Sequence, residues 1–129
     1  MLKTHILDEL YHHSSNVAHG VEVPPGARLL FTNGQVGTRP DGSTPATTVE
    51  QAEVVFGRIK AVLAAANMAL SDIARLTVFL TDQADVSTFV DARDRVMGDH
   101  KPGAIILVVK GLARPELKIE IEVIAAKVD

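Results

Sequence analysis

The feature that most constrains the fold is a run of six apolar residues at positions 104–109, Ala-Ile-Ile-Leu-Val-Val. A strand with only one buried face alternates apolar and polar residues along its length. This run has no polar alternate, so we expect a central strand that is covered on both faces. Any fold for this chain must therefore supply cover for both sides of its sheet.

Two other segments have the spacing of amphipathic helices. The residues Thr48 to Gln51 have the pattern of a capping box. It predicts that the Thr48 hydroxyl accepts the amide of Gln51 and that the Gln51 side chain reaches back to the amide of Thr48. Apolar residues then recur at helical spacing as far as Asn67, where the first helix should end. The second helix is predicted from Val86 to Met97.

The remaining apolar segments are predicted to be strands. In the last of them, residues 117–124, apolar residues alternate with charged ones, so Glu120 and Glu122 should share the face that is turned away from the helices. The other predicted strands are residues 17–23, 27–35, 76–81 and 104–109.

This order of elements predicts one α+β domain over residues 1–129, with a mixed sheet and both helices on one face. Residues 1–15 form an N-terminal segment that we expect to be less ordered at its start. Two helices cannot cover both faces of a sheet that contains the apolar run. We therefore expect another subunit to cover the second face.

Composition excludes several classes of function. The net charge is −3 and the 13 Lys and Arg residues are scattered, so we expect no nucleic-acid partner. No apolar run approaches the roughly 20 residues of a membrane span, and residues 1–9 lack the apolar core of a signal peptide. The absence of Cys excludes disulfides and thiolate chemistry. Together these features favour a cytoplasmic protein that binds no membrane.

The histidines and serines of the N-terminal segment form no recognisable site. His12 and His13 are adjacent, so their side chains point to different sides, and neither has a partner at metal-ligand spacing. We expect an exposed pair and no bound metal. Ser14 and Ser15 have no organised His and acid partners, which argues against a nucleophilic triad.

Five segments together carry a resemblance to a known family. They are FTNGQV at 31–36, QA at 51–52, IKAVLAAA at 59–66, LTVFLTD at 76–82 and KIEIEVIA at 118–125. In this order and spacing they resemble the RidA (YjgF) family of small reactive-intermediate deaminases. The resemblance covers about residues 16–128. It implies a chorismate-mutase-like fold and a homotrimer with ligand clefts at the subunit boundaries.

The resemblance also implies a chemistry, which is hydrolysis of 2-imino or enamine acids to 2-keto acids and ammonia. It implies neither a metal nor an organic cofactor, so the expected partners are a small-molecule ligand and further copies of the chain. Some family members have been described as translation inhibitors or ribonucleases. The acidic charge and the missing basic patch argue against that activity here.

Two positions depart from the family pattern. Deaminating members carry Arg directly after a Pro-Ala pair, where it clamps the substrate carboxylate with two parallel hydrogen bonds. Here the segment is Lys101-Pro102-Gly103-Ala104, so Ala104 stands where that Arg would be. Val17 stands where the deaminases place a Tyr. We therefore expect a substrate other than a standard 2-imino acid.

Other matching positions are retained. The resemblance implies that Gly34 lies beside the cleft, that Asn33 replaces a small hydroxyl residue there, and that Glu120 positions or activates the attacking water. The alternatives for Glu120 are a solvated edge-strand residue or an inter-subunit ion pair. Glu122 shares its face, but the resemblance gives it no role.

Three residues are candidates for the function of the missing Arg, and a backbone amide is the alternative to them. His19 lies two residues after Val17, so on a regular strand it faces the same way and would bring a donor into the cleft. His100 and Lys101 precede Pro102 and are candidates for the missing positive charge. A non-catalytic trimer that holds a metabolite or partner remains the alternative to an enzyme.

Overall fold

The structure is a computed structural model that describes residues 1–11 and 16–129. The predictions for the His12–His13 and Ser14–Ser15 pairs lie outside the described residues. The strands are β1 (Lys3–His5), β2 (Gly20–Glu22), β3 (Arg28–Phe31), β4 (Gln35–Val36), β5 (Ile73–Leu80), β6 (Gly103–Val108) and β7 (Ile119–Lys127), and the α-helices are α1 (Thr48–Ala65) and α2 (Val86–Met97). The predicted bounds of α2 are confirmed, and α1 ends two residues before Asn67.

The main sheet is mixed, as predicted. Its strand order is β3-β7-β5-β6, and β4 joins the sheet by pairing with β7. β5 and β6 run parallel, whereas β7 is antiparallel to β3, β4 and β5. β1 and β2 form a separate short ladder in which Lys3 lies opposite Glu22. β1 was not predicted, because a three-residue strand is too short to show alternation.

Both helices pack on one face of this sheet, and the core lies between them and the strands. Val55, Ile59 and Leu63 of α1 are fully buried. The rings of Phe56 and Phe89 join the two helices, with centroids 6.2 Å apart and planes 10° from parallel. The strands contribute the buried residues Ile73, Leu76, Val78 and Leu80 of β5 and Ile119, Ile121, Val123 and Ala125 of β7.

The cap of α1 lies one residue earlier than predicted. Thr47, not Thr48, is the N-cap, and its hydroxyl accepts the amide of Glu50 at 3.2 Å. The same hydroxyl donates to the Glu50 carboxylate at 2.8 Å. The prediction was wrong because Thr47 and Thr48 both begin a capping-box pattern, and only the path of the preceding loop decides between them.

Gln51 consequently has another role. Its side chain is fully buried, and its Nε2 donates to the carbonyls of Pro45 and Glu116, each at 2.9 Å. Its Oε1 accepts the amide of Lys118 at 2.8 Å. The Gln51 amide thus joins α1 to the loop before it and to the loop that leads into β7. These hydrogen bonds fix the position of the start of β7 relative to the first turn of α1.

The prediction that residues 104–109 form a central strand is wrong. Among the described residues, β6 pairs with β5 alone and lies at the edge of the sheet. Ala104 and Ile106 pack against the core, whereas Ile105 and Leu107 are 42% and 41% exposed on the opposite face. Apolar residues on both faces indicate that both faces of a strand must be covered. They do not indicate whether the strand has one or two neighbouring strands in its sheet.

The face opposite the helices is uncovered in the single chain, except at the end where β2 lies against β5. Besides Ile105 and Leu107, it exposes Leu29 and Phe31 of β3, which are 53% and 66% exposed. These residues lie on the two outer strands of the order β3-β7-β5-β6, and exposed apolar surface is typical of an interaction site. The structure thus agrees with the expectation that two helices leave one face of the sheet uncovered. None of the described helices is both long and apolar enough to cross a bilayer.

Candidate functional site

The segment between β3 and β4 is a bulge against β7. Phe31 pairs with Ile124 and Gln35 pairs with Ile121, so three residues, 32–34, stand opposite two, 122–123. An extra residue of this kind bends a strand locally and is common beside functional sites. It makes the backbone at 33–34 depart from the ladder while both of its flanks stay attached to β7.

Two side chains fix the flanks of this bulge. Thr32 bonds Val123 twice, with its amide donating to the Val123 carbonyl and its hydroxyl accepting the Val123 amide, both at 3.0 Å. On the other side, Gln35 is buried and its Nε2 donates to the Asn33 carbonyl at 3.1 Å. The carbonyl group of Asn33 is therefore held in one orientation.

Arg58 of α1 holds Gln35 in turn. Its Nε donates to Oε1 of Gln35 at 3.0 Å, and its Nη1 donates to the carbonyl of Thr38 at 3.0 Å. A chain of hydrogen bonds thus runs from the helix to the bulge. Sequence reasoning missed both residues. Gln35 belongs to the FTNGQV segment and Arg58 lies off the apolar stripe of α1, but nothing in their spacing predicts that they meet.

Gly34 lies directly against the carboxylate of Glu120. A Cβ placed on Gly34 would overlap that carboxylate and come within 2.7 Å of its Cδ. Glu120 is half-buried, on the uncovered face of the sheet as predicted from strand alternation. Only a glycine at position 34 leaves room for the acid in its observed position, so the bulge and Glu120 form one structural unit.

The surroundings of Glu120 are mainly apolar. Val36 pairs with it on one side and Phe79 on the other, and Leu107 pairs with Phe79 one strand further on. Within residues 1–11 and 16–129, no side chain donates a hydrogen bond to the Glu120 carboxylate or forms an ion pair with it. A half-buried carboxylate on a mainly apolar surface, with no donor among the described side chains, is a candidate for proton transfer.

Ala104 lies elsewhere. It pairs with Leu76 on β5, three residues before Phe79, the partner of Glu120. Its methyl group packs against the core on the helix side, opposite the face that carries Glu120. At about 3.3 Å per residue, the two positions are separated by about 10 Å along the strands and by two strand spacings across them.

Val17 and His19 lie with the start of β6 and not with Glu120. Ala18, between them, donates its amide to the carbonyl of Pro102 at 3.0 Å. His19 Nδ1 accepts the Leu7 amide at 3.0 Å, so its Nε2 carries the proton and faces the Tyr11 carbonyl at 3.5 Å. Both ring nitrogens of His19 are thus directed to the N-terminal segment.

His100 and Lys101 also lie at the start of β6. His100 Nε2 donates to the carbonyl of Ile73 at 2.6 Å, which ties the loop before β6 to the start of β5. Lys101 is half-buried. The predicted residues therefore form two groups in one chain: Asn33, Gly34 and Glu120 at one end of the sheet, and Val17, His19 and Ala104 at the other. In the part of the chain that the structure describes, no three His, Asp or Glu residues are grouped as metal ligands.

Comparison with known proteins identifies the family. A family model described as endoribonuclease L-PSP matches residues 15–127. The chain belongs to the RidA (YjgF) family. This RidA-family chain is 32% identical to TdcF of Escherichia coli strain K12 in an alignment of length 103 that covers 77% of this chain and 79% of TdcF. It is 31% identical to the 2-iminobutanoate/2-iminopropanoate deaminase of the same organism, over 77% of this chain and 80% of that enzyme.

Solved structures agree on the fold of this RidA-family chain. A crystal structure of Escherichia coli TdcF with bound serine covers 97% of this chain and 94% of its own, with a TM-score of 0.74 and 29% identity. A Rid-family protein of Yersinia pestis covers 98% of both chains with a TM-score of 0.85 and 24% identity. The predicted family and its fold, with two helices on one face of a mixed sheet, are confirmed.

Proposed function

We propose that this protein is a homotrimer that hydrolyses a small imine or enamine in clefts between its subunits, with Glu120 as the proton-transfer group. The observation that carries the proposal is the contact between Glu120 and Gly34 on the uncovered face of the sheet. Relatives named as deaminases of 2-imino acids support the reaction class. The trimer is supported by the exposed apolar residues of that face.

The proposed reaction uses water as its only co-substrate. Glu120 accepts a proton from water as the oxygen bonds to the carbon of the C=N group, and it returns that proton to the nitrogen. The hydroxyl proton of the resulting carbinolamine is then transferred through Glu120 to the nitrogen. The C–N bond breaks as the C=O bond forms, and ammonia leaves. The two groups of candidate residues, at opposite ends of the sheet, become one site only if neighbouring subunits bring them together.

Ala104 narrows the substrate class. An Ala side chain cannot donate to a carboxylate, and a lost fork of two charge-assisted hydrogen bonds costs a hundredfold or more in binding, about 3 kcal/mol. We therefore expect slow turnover of 2-iminopropanoate and 2-iminobutanoate, and faster turnover of imines without a carboxylate on the reacting carbon. A trimer that only binds such a compound is the second candidate, favoured by the absence of this clamp.

Two measurements test the proposal. Sedimentation equilibrium should give three chains per particle, and a monomer would contradict the shared cleft. Imines generated in situ, with and without an adjacent carboxylate, should decay faster with the protein than in buffer. The acceleration should be larger for the imine without the carboxylate. Acceleration of 2-iminopropanoate to the rate of an Arg-bearing relative would contradict the role given to Ala104. Tight binding of an imine analogue with no accelerated decay would favour the binding trimer.

A further inference from the structure

A cavity of about 400 Å³ lies on the uncovered face of the sheet, at the end remote from Glu120. Its floor is formed by Ile124, Arg75 and Gly103, which are paired across three adjacent strands. Its wall is formed by β2 and the residue before it. We call it the Arg75 niche; the lining residues are His19, Gly20, Val21, Val23, Ala74, Arg75, Gly103 and Ile124.

Local structure opens this niche and turns Arg75 into it. A register shift at Ala74 interrupts the ladder between β5 and β7 directly before Arg75. Gly103, which pairs with Arg75, has no side chain to cover its flank. A Cβ on Gly103 would also come within 3.3 Å of the Ala74 carbonyl, so the two strands approach closely here. The result is an exposed arginine with an open space beside it.

Arg75 has no partner for its charge in the described part of the chain. Its guanidinium takes part in none of the hydrogen bonds or ion pairs formed by residues 1–11 and 16–129. Two acids, Glu22 and Glu122, lie on neighbouring strands, and in the described residues neither forms an ion pair with Arg75. Glu22 of β2 is bonded to His5 and Lys3, and Glu122 lies two residues along β7 from the partner of Arg75.

We propose that the Arg75 niche is a binding site for a carboxylate, and that Arg75 supplies the cation that Ala104 lacks. The planar guanidinium presents two parallel N–H donors that match the two oxygens of a carboxylate. The donor comes from β5, one strand away from the position where the family pattern places it. It stands on the same face of the sheet as Glu120, whereas Ala104 does not.

The position of the niche restricts the ligand, and this consequence rests on the proposed function. Phe79, the partner of Glu120, lies four residues along β5 from Arg75, which is about 13 Å. Neither Phe79 nor Glu120 lines the niche. A carboxylate held inside the niche therefore does not lie against Glu120 of the same subunit. A ligand that uses both groups of one subunit must carry its carboxylate far from the C=N group.

Binding of 4-oxopentanoate, with 2-pentanone as the probe that lacks the carboxylate, tests the niche. Titration followed by amide chemical shifts should show saturable binding of the acid at roughly millimolar concentration. The shifts should be largest at residues 19–21, 74–76 and 103, and 2-pentanone should not reproduce them. Arg75→Gln should weaken binding about tenfold or more, and Arg75→Lys, which keeps the charge but not the fork, by less.

Two controls separate this inference from the proposed function. Arg95→Gln, an exposed position on α2, and Glu120→Gln should both leave binding of the acid unchanged. The oligomeric state is measured for every variant, because the niche lies on the face of the sheet that the proposed trimer covers. Equal affinity of wild type and Arg75→Gln, or no saturable binding by wild type, would overturn the niche. Binding through Arg75 without any imine hydrolysis would keep the niche and overturn the enzyme.

Discussion

The backbone of Gly34 and the carboxylate of Glu120 occupy adjoining space, so that a single methyl group on Gly34 would displace the acid. The two residues are far apart in the chain, and they meet because β3 and β4 both pair with β7 on either side of a bulge. This contact ties the position of a candidate proton-transfer group to the conformation of a loop.

Gly34→Ala should therefore damage function more than stability. The overlapping atoms belong to the far end of a flexible side chain, so the carboxylate can move aside at a cost below about 1 kcal/mol. We expect a small change in thermal unfolding and at least a tenfold slower imine hydrolysis, or a similar loss of ligand affinity, because general acid–base groups act only in place.

Gly57→Ala is the matched control for Gly34→Ala. Nothing lies within 4 Å of a Cβ added at Gly57, which is an exposed position in α1. Replacing a helical Gly by Ala should stabilise the protein by about 0.5–1 kcal/mol and leave hydrolysis unchanged. An unchanged rate in Gly34→Ala would contradict the assigned role of the contact.

Glu120→Gln should lower the rate of a turned-over imine by roughly 10²–10⁴-fold, because the amide keeps the shape but cannot accept the proton. The fold and the oligomer should be retained. Glu122→Gln is the comparison, since Glu122 lies on the same face two residues further along β7. Equal effects of the two substitutions would indicate a general charge effect and not proton transfer.

Arg58→Ala should loosen the bulge. It removes the donors to Gln35 and Thr38 and leaves the buried Gln35 oxygen without its protein partner, at a cost of about 1–3 kcal/mol in the free energy of unfolding. Hydrogen exchange at the amides of residues 33 and 34 should become faster. Lys60→Ala, two residues further along the same helix, should leave that exchange unchanged, and a matching increase there would contradict the role of Arg58.

Gln51→Leu should be strongly destabilising. The substitution keeps a side chain of similar size but leaves the Lys118 amide and the carbonyls of Pro45 and Glu116 without their partner, at a cost of about 3 kcal/mol. Urea unfolding measures the loss. A nearly unchanged midpoint would show that water replaces these hydrogen bonds at low cost.

Asp129 should make a small contribution to acid sensitivity. The Arg28 guanidinium donates two hydrogen bonds to the Asp129 carboxylate, at 2.8 and 2.9 Å, and holds its pKa below the usual range. The resulting stability is present above the ordinary carboxyl pKa and is lost as the pH falls through the lowered value. Asp129→Asn should flatten this part of the pH profile. Salt should reduce the difference, because the pair is exposed.

Much of the fold was predictable because it depends on local pattern. The helix from Val86 to Met97 follows from its apolar spacing, and the burial of alternate residues in β7 follows from the period of a strand. The cap of α1 was misplaced by one residue, and β6 was placed in the centre of the sheet when it lies at the edge. Both errors concern what lies beside a segment, which its own residues do not specify.

The sequence by itself determined the two amphipathic helices, the face on which Glu120 lies and the family of the chain. These features depend on periodicity and on the order of segments, which are properties of the sequence alone. The tertiary structure alone decided which residues meet. It placed Gly34 under Glu120, joined Arg58 to Gln35, and separated Ala104 from Glu120 on opposite faces. It also left Arg75 beside an open niche. These relationships depend on strand pairing and bulges between distant segments. The spacing of side chains along one strand does not determine the register in which another strand pairs with it.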